Sequence, residues 1–181
     1  MTPIEQDSRR FDMTVLMTPE MADVSGRVHG GALLNLLDRV AVSCASRYSQ
    51  QYAVTLSVDQ VTFKEPIHVG EPVTFRACVN YAGQTSMEIG IRVEAEEISS
   101  GIRRHINSCY FTMVAVDETG TPVHARKMRP ADLVDIRRYN AAELRRKLRR
   151  EFAERLESVI VDQKKGDDWW RKYMLTTAWF R

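Results

Sequence analysis

Apolar and polar residues alternate along five stretches of the chain, and this alternation predicts β-strands. The stretches are 11–17, 52–63, 73–81, 85–98 and 103–117. Successive side chains of a strand point to opposite faces of the sheet, so alternation indicates one apolar and one polar face. Because the last four stretches are long, consecutive and joined by turns rich in Gly, Pro or Ser, they favour an antiparallel meander.

The alternation is clearest in two of these stretches. In the stretch 52–63, Val54, Leu56 and Val58 alternate with Thr55 and Ser57. The stretch 85–98 has an apolar face that consists of Met87, Ile89, Ile91 and Val93. Each of these stretches is therefore expected to pack one face on a core.

Residues 30–47 are apolar at almost every position and predict a single long helix. A helix that is apolar nearly all round is expected to be buried nearly all round. The sequence therefore predicts an α+β fold in which a long antiparallel sheet wraps around one central buried helix.

The pattern changes after Pro130 to that of an amphipathic helix. Eight basic and three acidic residues lie between 137 and 155, and all three tryptophans fall in the last thirteen residues. Apolar residues recur there at helical spacing, at Leu144, Leu148, Phe152 and Leu156. We expect residues 8–125 to form the main domain and 126–181 a helical extension with a Trp-rich tail, packed on that domain or on another subunit.

Composition excludes several classes of protein. The net charge of +2 argues against a nucleic-acid-binding protein. The N-terminal residues have no apolar signal region, and no apolar run has the length of a transmembrane helix. The three cysteines are scattered without a CxxC pair, which indicates reduced thiols in the cytoplasm. The four histidines are also scattered, so no metal site is expected.

Asp38 is a carboxylate inside the apolar helix, and it needs an explanation because burying a charge is unfavourable. Gly31 lies seven residues earlier on the same helix face, and Asn35 lies near that face. The amides at the start of a helix are free donors with partial positive charge. Donors aimed at an oxyanion, with a carboxylate nearby, suit acyl transfer. Alternatively, Asp38 is a structural acid bonded to a neighbouring hydroxyl or arginine.

Three motifs occur in a fixed order along the chain: GxVHGGALLxLLDxVA from Gly26, VDxVxFxxPIxxG from Val58 and GxTSMEIxIxV from Gly83. With these motifs the chain resembles the hotdog-fold acyl-CoA thioesterases, in particular the cytosolic acyl-CoA hydrolases and their bacterial broad-range relatives. The resemblance covers roughly residues 10–120. It implies the hotdog fold, thioester hydrolysis, and dimers that join two sheets edge to edge, with three dimers in a hexamer.

The resemblance also implies roles for individual residues. Asp38 corresponds to the catalytic aspartate, which acts from the facing subunit as general base or as nucleophile. The Gly31 amide would polarise the thioester carbonyl. The substrate-binding positions are His29, Gly30, Asn35, Gly83, Thr85 and Ser86. No cofactor is implied beyond the coenzyme A that forms part of substrate and product.

Asp23 departs from the family pattern, which usually has an asparagine three residues before the first motif glycine. An amide can donate a hydrogen bond to a carbonyl, whereas an ionised carboxylate can only accept one. A protonated Asp23 facing Asp38 would still donate, so Asp23 is a third candidate catalytic residue. The alternative is that Asp23 only caps a loop or helix, as an asparagine would.

Two other functions remain open at this stage. A weakly catalytic acyl-CoA binding or sensing module would keep the fold and lose the asparagine. A hotdog hydratase would need an Asp-and-His pair that the helix does not contain. The basic face after residue 137 is either solvated or attracts the phosphates of CoA or an anionic lipid.

Overall fold

The computed structural model describes residues 7–162. Those residues form five β-strands, two α-helices and a short 3-10 turn at Pro19–Met21. The elements are β1 (Arg10–Leu16), α1 (Gly30–Ser49), β2 (Tyr52–Val58), β3 (Pro72–Ala82), β4 (Ser86–Glu97), β5 (Ile102–Val116) and α2 (Leu133–Asp162). The predicted hotdog fold, with a sheet around one central helix and a second helix after it, is confirmed.

The sheet is antiparallel throughout, with the strand order β1-β3-β4-β5-β2. Only β3, β4 and β5 form the predicted meander, because β2 pairs with β5 at one edge rather than with β3. The strand β2 ends at Val58, and the prediction that it continues to residue 63 was wrong. Beyond Val58, the Asp59 amide donates to the Tyr110 carbonyl of β5 and the Lys64 amide donates to the Ile106 carbonyl, outside any continuous strand pairing. The long connection 59–71 then carries the chain back to β3.

The core lies between one face of the sheet and α1. The predicted apolar face of β4 is buried in full, with Met87, Ile89, Ile91 and Val93 at most 2% exposed. The buried residues of α1 recur every three or four positions: Leu33, Leu36, Leu37, Val40, Ala41, Cys44, Ala45 and Tyr48. The helix is not buried all round, however, since the sheet covers only one side of it. The exposed side carries Gly31, Leu34, Asn35 and Arg39.

Two valines of β2 are exposed, which the alternation alone did not show. Val54 is 47% and Val58 is 45% exposed, whereas Ala53 is buried. A register shift between Thr55 and Ser57 interrupts the pairing of β2 with β5. Ala53 pairs with Ala115 and Thr55 with Met113, so both lie on the helix-facing side of β2. Val54 lies on the opposite face, whereas Val58, which pairs with Phe111 after the shift, lies on the helix-facing side at the exposed end of the strand.

All three cysteines are buried and have free thiols. Burial raises the pKa of Cys44 to about 12, and it raises the pKa of Cys109 to about 12 as well. A thiol with such a pKa stays protonated at neutral pH and is a poor nucleophile.

The chain divides into two compact units between Ala131 and Asp132. The sheet and α1 belong to the first unit, and α2 belongs to the second. The Trp-rich tail predicted at the C-terminal end lies outside the described residues. No helix among residues 7–162 is both long enough and apolar enough to cross a membrane.

Candidate active site

The start of α1 leaves two backbone donors free. The His29 imidazole caps the helix, because its Nδ1 accepts a hydrogen bond from the Ala32 amide at 3.1 Å. The amides of Gly30 and Gly31 have no hydrogen-bond acceptor among the described residues. These amides carry the partial positive charge of the helix N-terminus, so they form a donor pair suited to a carbonyl oxygen or an oxyanion.

Two side chains approach the backbone closely at the glycines of this helix start. A β-carbon at Gly31 would lie 3.3 Å from Nδ1 of His29, and one at Gly30 would lie 3.1 Å from Cε2 of Phe63. Both distances are tighter than ordinary van der Waals contact. The cap and the aromatic ring therefore pack directly against the helix backbone, and Phe63 adds an apolar wall that the sequence did not indicate.

Asp38 is oriented by a threonine. The Thr55 hydroxyl donates a hydrogen bond of 2.6 Å to Oδ1 of Asp38, which is half-buried. No described residue donates to Oδ2, so one carboxylate oxygen is held and the other is available. A neighbouring hydroxyl was the partner expected of a structural acid, yet the same contact also suits a catalytic carboxylate that must be positioned. Nothing in the sequence singled out Thr55, because threonine is an ordinary residue in a strand.

The helix keeps Asp38 away from the free amides of its own chain. Seven residues separate Gly31 from Asp38, which corresponds to about 10 Å along the helix axis. The side chain of Asn35 is exposed between them. One thioester group cannot contact both the Gly31 amide and the Asp38 carboxylate of one chain, because each contact spans about 3 Å.

Asp23 caps its own loop. Its Oδ1 accepts hydrogen bonds from the Ser25 amide at 2.8 Å, the Ser25 hydroxyl at 2.5 Å and the Arg27 amide at 3.2 Å. These hydrogen bonds, above all the one from the Ser25 side chain, lower the pKa of Asp23 below its ordinary value. The isolated chain therefore favours an ionised Asp23, not the protonated donor considered from the sequence.

The same loop occurs a second time in the chain. Asp117 accepts hydrogen bonds at Oδ1 from the Thr119 amide and hydroxyl and from the Thr121 amide. Both loops have the sequence Asp-x-Ser/Thr-Gly-x, with glycines at φ +76° (Gly26) and +82° (Gly120). The pKa of Asp117 is lowered too, first by the Thr119 hydroxyl. Capping at Asp23 thus follows from a local sequence pattern that does not depend on a neighbouring active site.

The hairpin at residues 83–86 lies at the other end of the fold. The Gly83 amide donates to the Ser86 carbonyl at 2.8 Å, and the Thr85 carbonyl accepts from Ala115 at 2.9 Å. Ser86 pairs with Val114 near the end of β5, where β2 begins after α1 has ended. Since α1 has 20 residues and a length of about 30 Å, one chain does not bring this hairpin to the helix start. The predicted substrate role of the hairpin remains a prediction.

The isolated chain shows surface depressions away from the candidate residues. One is lined by Ser46, Gln50, Gln51, Tyr52, Asp117 and Glu118, and another lies on α2. Among residues 7–162, no cluster of three or more His, Cys, Asp or Glu side chains could hold a metal ion.

Comparisons with known proteins identify the family of the chain. The thioesterase superfamily profile matches residues 25–102. Protein VdlD of Helicobacter pylori is 50% identical over 143 residues, which cover 79% of this chain and 82% of that protein. The crystal structure of an apo-hexameric acyl-CoA thioesterase superimposes with a TM-score of 0.76 at 32% identity, covering 80% of this chain and 92% of that chain.

A third similar protein is an acyl-CoA hydrolase from Staphylococcus aureus, solved in complex with butyryl coenzyme A, coenzyme A and coenzyme A disulfide. It superimposes with a TM-score of 0.74 at 28% identity, covering 85% of this chain and 93% of that chain. Structures also exist of its alanine variants at an asparagine, an aspartate and a threonine. These three positions are separated by 15 and then 17 residues. The same spacings separate Asp23, Asp38 and Thr55 here. The chain belongs to the thioesterase superfamily and shares its hotdog fold with solved acyl-CoA hydrolases.

Proposed function

We propose that this protein hydrolyses acyl-CoA thioesters to a free acid and coenzyme A. The observation that carries the proposal is the Asp38 carboxylate, held at one oxygen by Thr55 on a helix that begins with two free amides. The similarity to an acyl-CoA hydrolase solved with butyryl coenzyme A supports this choice of substrate class.

The reaction requires an oxyanion site and a group that acts on the carbonyl carbon. The thioester oxygen accepts hydrogen bonds from the Gly31 amide, with the Gly30 amide beside it, and negative charge develops on that oxygen. As a general base, Asp38 takes a proton from water while the water oxygen bonds to the carbonyl carbon. The C–S bond then breaks, and the sulfur leaves with a proton as the CoA thiol. As a nucleophile, Asp38 bonds to the carbonyl carbon itself, the C–S bond breaks and the CoA thiolate leaves and takes up a proton. Water then hydrolyses the resulting anhydride to the free acid and restores the Asp38 carboxylate.

The active site is shared between two subunits. The 10 Å estimate between Gly31 and Asp38 favours an active site in which Gly31 of one subunit faces Asp38 of the partner subunit. The exposed β2 edge, with Tyr52 70% exposed beside its two exposed valines, is suited to join two sheets. Leu34 on the open side of α1 is 38% exposed and would be covered by the same contact. The hexameric structural neighbour supports a further assembly into a trimer of dimers.

A binding or sensing module is the second candidate, because Asp23 replaces an amide donor with an ionised carboxylate. It predicts binding of acyl-CoA without turnover. We favour the enzyme, since the Asp38–Thr55 contact and both free amides are present in the fold. The reduced, buried cysteines support a location in the cytoplasm.

The test is release of free thiol from a series of acyl-CoA substrates, from acetyl to palmitoyl. We expect turnover by the wild-type protein and a loss of about two orders of magnitude or more in kcat for Asp38→Asn. The variant should melt at nearly the wild-type temperature, because an asparagine Oδ1 can still accept the Thr55 hydrogen bond. Asp117→Asn is the matched control and should retain full kcat. Wild-type kcat in a folded Asp38→Asn protein would remove Asp38 from the mechanism, and binding without turnover at every chain length would favour the sensing module.

A further inference from the structure

The helix α2 carries an exposed stripe of four large apolar side chains. Leu144, Leu148, Phe152 and Leu156 are 57%, 52%, 68% and 50% exposed. They recur every four residues, so they lie along one side of the helix over three turns. Four half-exposed side chains of this size form a contiguous patch on the order of a few hundred Å², which in a soluble protein marks an interaction surface.

The charges along α2 divide into two halves of opposite sign. Residues 137–150 contain seven Lys or Arg and one Glu, whereas residues 151–162 contain four Asp or Glu and one Arg. A parallel pair of α2 helices would place like charges side by side along both halves. An antiparallel pair places the basic half of each helix beside the acidic half of the other.

The apolar stripe is symmetric about the point where the charge changes sign. Its centre falls at residue 150, so antiparallel pairing places Leu144 opposite Leu156 of the partner subunit and Leu148 opposite Phe152 of the partner subunit. Lys147 and Glu151 lie on one flank of the stripe, 3.8 Å apart within the helix. The same two side chains can exchange partners across the two-fold axis.

We propose that α2 of one copy packs antiparallel against α2 of a second copy through this stripe. The charge division argues against an anionic lipid surface as the occupant, since interfacial helices are rich in Lys and Arg on the polar face and the charged residues within 151–162 are mainly acidic. The stripe alone is smaller than a stable protein–protein interface requires. The stripe therefore adds a second two-fold contact to the sheet-edge dimer proposed above, and the pairing of α2 rests on that dimer.

Disulfide trapping tests the orientation directly in the full-length protein. In the double variant Leu144→Cys/Leu156→Cys, we expect an oxidant to produce a covalent dimer on a non-reducing gel, while each single variant stays monomeric. The matched control is Arg146→Cys/Glu154→Cys, which is centred on the same residue but lies on the opposite face of α2. The native cysteines are buried and should not contribute. Covalent dimers in each single variant would indicate parallel pairing of the two helices. No covalent dimer in the double variant would exclude antiparallel pairing through the stripe. Either result overturns the proposal.

A second measurement identifies a competing occupant. All three tryptophans lie at positions 169–179, so their fluorescence reports on the C-terminal tail. Under the proposal, Leu148→Glu raises the dissociation concentration of the assembly at least about tenfold in sedimentation and leaves tryptophan emission unchanged. Ala153→Glu, which adds the same charge at an exposed position away from the stripe, should sediment like wild type. A shift in tryptophan emission with unchanged sedimentation of Leu148→Glu would assign the stripe to the tail of the same chain and overturn the proposal.

Discussion

At the level of single residues, the hydrogen bond from Thr55 explains how the Asp38 carboxylate on the surface of α1 acquires a fixed orientation. One hydroxyl holds one oxygen at 2.6 Å, and the rotation of the carboxylate about its last torsion is thereby restricted. A positioning residue of this kind acts through Asp38 and need not touch the substrate.

Thr55→Val should lower both kcat and the free energy of unfolding, because the Asp38 carboxylate loses the donor that holds it. Valine has nearly the shape of threonine and lacks the hydroxyl, and a hydrogen bond to a charged group contributes about 1.5–3 kcal/mol. That energy corresponds to a loss of about tenfold to a hundredfold in kcat. Thr55→Ser restores the hydroxyl and should recover most of the activity. Equal kcat in the Val and Ser variants would show that the hydroxyl is not needed.

Asp23→Asn should raise kcat by about tenfold or more, because it supplies an amide donor where the family has one. The asparagine Oδ1 can accept the same three hydrogen bonds, so the loop is preserved and Nδ2 takes the place of the unused oxygen. Asp117→Asn makes the same chemical change in the second copy of the loop and should leave kcat unchanged. Equal effects of both substitutions would mean that position 23 has only the capping role.

The two loops also give a dependence of stability on pH with a defined sign. The pKa values of Asp23 and Asp117 are lower in the folded chain than the model-peptide value of 3.8. Their contribution is therefore present above that value and is lost as the pH falls through the lowered folded pKa. The melting temperatures of the wild type and of each Asn variant should differ less at pH 2 than at pH 5. A constant difference across this range would contradict the assignment.

At the level of elements, the sequence was most informative where one face of an element is fully buried. The apolar face of β4 was predicted because burial in one chain requires a strict period. The helix α1 was expected to be buried nearly all round, but only one side of it is buried. The same reasoning failed for β2, since a register shift after Thr55 breaks its alternation. Val54 lies on the outer side, and Val58 lies on the helix-facing side with Thr55 but is 45% exposed. Periodicity does not distinguish an apolar residue that packs against a second subunit from one that packs in the core of its own chain.

The candidate site was predictable in part for a related reason. Asp38 and Gly31 stand out because a carboxylate and a glycine are unusual in an apolar helix. Thr55 and Phe63 do not, because threonine and phenylalanine are ordinary residues in or beside a strand. The capping role of Asp23 was recoverable from the Asp-x-Ser/Thr-Gly-x pattern, which recurs at 117–121.

At the level of the whole molecule, a site divided between two copies predicts complementation. A subunit with Asp38→Asn and a subunit with Gly31→Pro are each expected to form inactive homodimers. Proline removes the Gly31 amide donor and is tolerated in the first turn of a helix. In a mixed dimer one of the two sites regains both groups, so random pairing should restore about one quarter of the wild-type activity. No recovery in co-expressed, purified mixed dimers would place both groups within one subunit.

The burial of the cysteines has a consequence for a protein that handles thioesters. Acyl-CoA acylates accessible thiolates by transthioesterification, and CoA forms mixed disulfides with exposed protein thiols. Cys44, Cys78 and Cys109 are buried, and the high pKa values of Cys44 and Cys109 keep those two thiols protonated. These thiols therefore do not take the acyl group from the substrate, and the CoA that hydrolysis releases does not form a mixed disulfide with them.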